Sequence, residues 1–142
     1  MKNLTFALTF ILALSACSKP NQEISTEITK KIESNNSDPI DLRQIGPESW
    51  ERLCIIGPYA SNDTAEKIIG FKWNVNDLSS IGSNDSINLV VFIKNNQVVA
   101  LTEHPRNKGD FSNLNPSCLT RDTAIFKRET DSTGWVKLVH EP

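Results

Sequence analysis

Residues 47–142 are predicted to form one small α+β domain, an antiparallel sheet of about five strands with one helix packed on it. Two observations indicate this fold class. Two β-rich runs meet at Asn95-Asn96, as in a tight hairpin. The segment "TAEKIIGF" (64–71) lies between residues that favour helix ends. About 95 residues are enough to enclose one hydrophobic core.

The first elements of this domain are a strand and the helix. "RLCIIG" (52–57) is a nearly continuous apolar run that ends at Gly57-Pro58, which is typical of a buried strand. In the helix that follows, we expect Asp63 to be the N-cap, Glu66 to return the capping hydrogen bond and Gly70 to end the helix.

Two hairpins complete the predicted sheet. The first is "INLVVFIKNNQVVALTEH" (87–104), and its apolar residues at consecutive positions predict that it lies centrally, buried on both faces. The second joins "TAIFKRE" (123–129) to "GWVKLVH" (134–140) across "TDSTG".

The first 16 residues have the layout of an export signal. A positively charged start is followed by the apolar run Leu4–Leu14, which is shorter than the roughly 20 residues that span a membrane. The next four residues, Leu14-Ser15-Ala16-Cys17, resemble the lipobox of bacterial lipoproteins. The resemblance implies that residues 1–16 are removed and that Cys17 carries a diacylglyceryl group, with a further acyl chain such as palmitate on its amine. The alternative is a plain secretory signal in which the cysteine is incidental.

The resemblance also implies a location and a first set of partners. Two or three acyl chains hold a protein firmly in a membrane, because each buried methylene contributes about 0.8 kcal/mol. The partners would be the membrane, reached through the N-terminal lipid, and the lipoprotein processing and sorting machinery. Ser18 in second position favours the outer membrane, facing the periplasm, if the cell is Gram-negative.

Residues 17–46 are predicted to be the lipidated N-terminus and a flexible tether. The segment contains no aromatic residue and consists mainly of polar residues, so it buries little apolar surface. Ile24, Ile28 and Ile32 would line one side of a short helix, but such a helix is marginal alone. A flexible chain of this length has an end-to-end distance of about 30 Å, which would hold the domain off the membrane.

The cysteine count predicts one disulfide. Once Cys17 is assigned to the lipid, Cys54 and Cys118 are the pair that remains, and disulfides persist in exported proteins. The alternative is a redox or nucleophilic cysteine. The chain has no C-x-x-C motif, and the apolar run around Cys54 disfavours a reactive thiolate.

Charge argues against nucleic acid as a partner. The chain has 15 Lys and Arg and 17 Asp and Glu, and loss of Lys2 with the leader changes the net charge from −2 to −3. Nucleic-acid-binding domains normally carry a basic stripe. Here the two signs are interspersed, and the basic pairs Lys30-Lys31 and Lys127-Arg128 are isolated.

The segment "TEHPRNKGDF" (102–111) is the predicted contact site for another protein, since loops on a rigid sheet often carry function. Its candidate contact residues are Glu103, His104, Arg106, Lys108 and Asp110. Neighbours on a strand point to opposite faces, so Glu103 and His104 do not suit acid–base catalysis. Arg106 and Asp110 are expected to form a salt link across a turn at Gly109.

No cofactor or metal is predicted. The repeated "SNDT" (61–64) and "SNDS" (83–86) would bring Asp63 and Asp85 to a cation only if they converged, and such residues more often shape turns. Common catalytic and phosphate-binding motifs are missing from the sequence, and two histidines make a histidine-based metal site hard to assemble.

These observations favour a noncatalytic, lipid-anchored envelope protein whose domain binds another protein. Small immunity, inhibitor and exclusion lipoproteins share this plan. The alternatives are a structural or assembly component of the envelope and a small envelope hydrolase. Aromatic residues around the helix would anchor a partner if they are exposed; they are Trp50, Tyr59, Phe71 and Trp73.

Overall fold

The computed structural model describes residues 19–34 and 39–140. The predicted export signal, the lipobox and Cys17 lie outside these residues. The described residues form two α-helices, α1 (Gln22–Ser34) and α2 (Asn62–Ile69), and seven strands. The strands are β1 (Ile40–Asp41), β2 (Arg52–Ile56), β3 (Ile87–Lys94), β4 (Gln97–Pro105), β5 (Cys118–Thr120), β6 (Ile125–Thr130) and β7 (Val136–His140).

The strands form two antiparallel sheets, with the orders β4-β3-β2-β5 and β1-β6-β7. The class α+β is confirmed, but the prediction of a single five-stranded sheet with one helix is wrong. The second predicted hairpin, β6–β7, forms as expected. It pairs with the short β1 and not with the first hairpin. The sequence did not predict this arrangement, because the pairing of strands depends on residues that are distant in sequence.

The four-stranded sheet separates two halves of the core. On its α1 face, Val90 and Phe92 pack with α1 and with the smaller sheet. On its α2 face, Leu89, Val91 and Ile93 pack with α2 and with the two 3-10 turns Val75–Asp77 and Ser80–Gly82. Strand β3 is therefore buried on both sides, as predicted. Its hairpin partner β4 lies at the edge of the sheet and is partly exposed, so the prediction of a central hairpin buried on both faces is wrong for this strand.

Helix α1 occupies part of the predicted tether. Its isoleucines Ile24, Ile28 and Ile32 are buried in the core, and the Asn21 backbone N–H donates to the Leu101 carbonyl of β4 (2.8 Å). The described part of residues 17–46 is thus folded against the domain instead of flexible. The helix is marginal alone but gains stability from this apolar contact, since packing supplies most helix stability in proteins.

Helix α2 begins two residues earlier than predicted. Its N-cap is Ser61, whose Oγ accepts the Thr64 backbone N–H (3.2 Å), and not Asp63. The side chain of Glu66 does not return a capping bond; it pairs with Lys72 and accepts the Trp73 backbone N–H. Gly70 ends the helix in the left-handed conformation, with φ of 91°, as predicted.

Two further predictions are confirmed. Asn95 and Asn96 have φ values of 50° and 54°, the positive pair that a tight two-residue hairpin turn requires. Cys54 and Cys118 are directly opposite each other on β2 and β5 and form the disulfide.

Candidate functional site

The predicted contact segment, residues 102–111, connects the two sheets. It begins in β4, continues through a 3-10 turn at Arg106–Lys108 and reaches Asp110, which bridges to Lys137 of β7. The Asp110 backbone N–H donates to the Val136 carbonyl, and the Leu138 N–H donates to the Asp110 carbonyl. The segment is therefore held at one end by β4 and at the other end by β7.

Asp110 is the centre of a buried polar cluster. Arg106 forms the expected salt link, with Nη2 2.9 Å from Oδ2 and Nε 3.1 Å from Oδ1. The Ser112 hydroxyl and the Trp135 indole N–H also donate to the carboxylate. Burial alone would raise the pKa of Asp110, but these hydrogen bonds outweigh it and lower the pKa to about 2. Both oxygens of the carboxylate accept hydrogen bonds within the chain, so the role of Asp110 is to stabilise the fold.

Glu103 and Lys108 also have partners within the chain. Glu103 Oε1 accepts hydrogen bonds from the Ser79 hydroxyl (2.7 Å) and the Ser80 backbone N–H (2.7 Å). Burial raises the pKa of Glu103, but these bonds outweigh it and lower the pKa. Lys108 pairs with Glu33 of α1 at 3.2 Å on the surface. All four charged residues of the predicted contact site thus have intramolecular partners.

His104 is buried between β4 and α1, away from Glu103. Its Nδ1 lies 3.2 Å from the Ser25 hydroxyl, and both side chains are buried. Burial lowers the pKa of His104 to about 4, against a smaller opposing effect of the Lys108 and Gly109 backbone. A serine and a neutral histidine resemble part of a catalytic triad, but a substrate has no access to them, and Glu103 and Asp110 bind other groups. The pair locks α1 onto β4.

We expect His104 to make stability depend on pH. In the unfolded chain it binds a proton near pH 6.5, while in the folded protein it does so near pH 4. The unfolded state therefore holds more protons between these values, and the free energy of unfolding should fall by about 3 kcal/mol as pH falls through this window. Urea denaturation at pH 7, 5.5 and 4.5 measures this effect. His104→Gln should flatten the dependence and the control His140→Gln should keep it; an unchanged slope in His104→Gln would refute this assignment.

Of the four aromatic residues predicted as possible anchors for a partner, Tyr59 is the one whose side chain is largely exposed. Its side chain is 65% exposed, whereas Trp50 is buried and Phe71 and Trp73 pack partly against the core. Its φ of 60° is unusual for an aromatic residue, and its backbone N–H donates to the Ile81 carbonyl (2.8 Å). Strained backbone of this kind is concentrated at functional sites.

The segments that adjoin Tyr59 in sequence, or that approach it at Ile81, are rich in acidic and small polar residues. We define the Tyr59 surface as the turn 57–61, the start of α2 at 62–66 and the segment 74–86, which approaches the turn at Ile81 and Gly82. These ranges contain no Lys or Arg. Their exposed carboxylates are Asp63, Asp77 and Asp85.

Hydrogen bonds keep the Tyr59 surface rigid. Asn62 at the start of α2 accepts the Asn76 backbone N–H (3.0 Å) and donates to the Asn74 side chain (2.9 Å). In the second repeat, Asn84 accepts the Ser86 backbone N–H (2.9 Å), which is a turn-forming role. Within residues 19–34 and 39–140, no three His, Cys, Asp or Glu side chains are grouped so as to hold a metal ion.

The sequence gives no local sign of two of these features. The predicted tether includes Ser25, and nothing near Ser25 in the sequence predicts its contact with His104, 79 residues away. Tyr59 is in the left-handed conformation although the position holds neither glycine nor asparagine, and its backbone N–H is bonded to Ile81, which is distant in sequence.

None of the helices in the described part of the chain is long and apolar enough to cross a membrane. Comparison of the chain with protein-family models, curated proteins and solved structures finds no match.

Proposed function

We propose that this chain is a lipid-anchored protein of the cell envelope whose domain binds another protein through the Tyr59 surface, without catalysis. The observation that carries the proposal is the exposed side chain of Tyr59 on a backbone of positive φ that is hydrogen-bonded to Ile81. Tyrosine is enriched at the energetic centres of interfaces, because it offers a large contact area and loses little conformational entropy.

Charge favours a partner with a basic surface. The ranges of the Tyr59 surface contain the exposed carboxylates Asp63, Asp77 and Asp85 and no Lys or Arg. The cations that contact these ranges, Lys72 at Glu66 and Arg106 at the Asp85 carbonyl, are bound to groups of the surface itself. Complementary charge accelerates association and selects against acidic competitors. The favoured partner is therefore a basic protein with a recess that receives the tyrosine ring. If this chain is an immunity or inhibitor protein, that partner is the toxin or enzyme that it blocks.

The anchor is proposed from the resemblance of Leu14-Ser15-Ala16-Cys17 to a lipobox. The disulfide between Cys54 and Cys118 agrees with export, because such bonds persist outside the reducing cytosol. For a Gram-negative cell, Ser18 favours the outer membrane with the domain in the periplasm.

The anchor has its own test in the mass of the membrane-extracted protein. An N-terminal peptide that starts at Cys17 and carries acyl chains is expected. A peptide that runs from Ala16 into an unmodified Cys17 would contradict the anchor.

An assembly role in the envelope differs from an inhibitor role only in the partner. An inhibitor binds a toxin or enzyme and protects the cell from it, whereas an assembly factor binds a resident protein and its deletion weakens the envelope. A hydrolase has less support, because the Ser25–His104 pair is buried and the charged residues of 102–111 are engaged.

Substitution of Tyr59 separates binding from stability. Asparagine tolerates positive φ, so Tyr59→Asn should keep the free energy of unfolding or raise it by about 0.5 kcal/mol. Loss of a central tyrosine should weaken partner binding by about 2 kcal/mol, roughly 30-fold. Denaturation and quantitative co-purification from crosslinked cells measure the two effects.

The control is Val99→Ala, because Val99 is the other large apolar side chain exposed among the described residues. It lies near the start of β4, whereas the contact of this strand with the Tyr59 surface is made near its end, by Glu103. Partner recovery should be unchanged in this variant. Equal recovery with Tyr59→Asn and the wild type would contradict the proposed site.

A further inference from the structure

We infer that the surface beside the amino end of α1 rests directly on the lipid bilayer, so that the domain is seated on the membrane and not suspended above it. We define this seating surface as Lys19–Glu23, Gly46-Pro47 and Val99-Ala100. The inference rests on the proposed function, because it requires a lipid on Cys17.

Covalent reach is the first argument. Two peptide links join Cys17 to Lys19, and they span at most about 7 Å whatever their conformation. Lys19 is itself close to the domain, because the Asn21 N–H is bonded to the Leu101 carbonyl of β4 and the Asn21 side chain accepts the Glu23 N–H. The lipidated sulfur can therefore be no more than about 20 Å from β4. A flexible tether over residues 17–46 would have allowed about 30 Å.

The composition of the seating surface is the second argument. A shallow groove there is lined by Ile24, Gly46, Pro47, Val99 and Ala100, together with the polar residues Asn21, Glu23 and Glu27. Val99 is 37% exposed in it, and an exposed apolar side chain beside a lipid attachment point is suited to the acyl boundary of a bilayer.

Charge selects the kind of bilayer. Lys19 and Glu23 are exposed on the seating surface, and the exposed Glu27 lines the groove beside them. One cation and two carboxylates make this surface weakly acidic, so it disfavours an anionic membrane. A zwitterionic headgroup such as phosphatidylethanolamine offers a phosphate to the lysine and an ammonium to a carboxylate. A phosphatidylethanolamine-rich surface is the partner that this arrangement fits.

The seating also orients the Tyr59 surface. Helix α1 packs on one face of the four-stranded sheet, with Val90 and Phe92. Tyr59 is bonded to Ile81, which packs on the other face with α2. With the α1 side toward the bilayer, Tyr59 is directed away from it, toward a partner in solution.

Energy transfer tests the seating. The full lipidated protein would be reconstituted into phosphatidylethanolamine–phosphatidylcholine vesicles that contain a headgroup-labelled acceptor. A donor would be attached at Val99→Cys or at Ser61→Cys, since Cys54 and Cys118 are occupied by the disulfide. Transfer is expected to be at least twofold greater from position 99 than from position 61. Insertion of about 20 Gly and Ser residues between Ser18 and Lys19 should abolish the difference.

The mass of the same sample distinguishes the two ways of failing. Equal transfer from positions 99 and 61 in protein that carries the lipid would overturn the seating and leave the anchor intact. An unmodified Cys17 would overturn the anchor, and the seating with it.

Discussion

Replacing both Cys54 and Cys118 with alanine is expected to lower the free energy of unfolding by about 4 kcal/mol. The bond joins residues 64 apart in sequence, and closing a loop of that length restricts the unfolded chain by about this amount in the loop-entropy model. Small domains have only about 5–15 kcal/mol in total, so the change removes much of their stability. Guanidinium denaturation measures it.

The reduced wild-type protein is the control for the disulfide prediction. Reduction removes the bond without changing the packing atoms of the two cysteines. The loss of stability should be similar in the reduced protein and in the double variant. A denaturation midpoint that is unchanged on reduction would contradict a stabilising role.

Ile28→Ala is expected to lower the free energy of unfolding by about 2–5 kcal/mol, the usual range for a fully buried isoleucine. Ile28 is completely buried in the core beneath α1. Weakened packing should also release α1, so that trypsin cuts at Lys30 and Lys31 more than tenfold faster. Denaturation and timed proteolysis are the two measurements.

Lys30→Ala is the matched control on the same helix. Lys30 is exposed, and alanine favours helix at least as well as lysine. Its stability should stay within about 0.5 kcal/mol of the wild type. Equal stability of Ile28→Ala and Lys30→Ala would show that α1 is a tether after all.

Local signals predicted the parts of the fold that depend on neighbouring residues. Asn95 and Asn96 determine the first hairpin turn, Gly70 ends α2, and the pair Cys54 and Cys118 predicts the disulfide. The division into two sheets was not predictable in this way. It depends on the pairing of β1 with β6, whose residues Ile40 and Phe126 are far apart in sequence.

Helix α1 shows why the predicted tether was wrong. Its three isoleucines were visible in the sequence, but the surface that receives them was not. Ile32 lies against Gly109, where an added Cβ would come within 2.5 Å of the Ile32 side chain. The close approach requires a glycine 77 positions away, and nothing near Ile32 indicates it.

The candidate site was only partly predictable. The sequence does not distinguish Tyr59 from the other three candidate aromatic residues. The fold does, since Trp50, for example, is buried and its indole N–H donates to the Ile45 carbonyl, whereas Tyr59 is exposed. The charged residues of 102–111 looked available because they follow a strand. Glu103 and Lys108 instead bind Ser79 and Glu33, which belong to other elements.

The central claim is that Tyr59 binds a partner while the lipid holds the opposite side of the domain at the membrane. The most direct measurement is photocrosslinking in the native cell, with a photoreactive amino acid at position 59 or at position 99 of the chain with Cys17 intact. We predict that position 59 crosslinks to one stoichiometric protein with a basic surface, and that position 99 crosslinks to lipid. A protein adduct obtained equally from both positions, or none from position 59, would contradict the account.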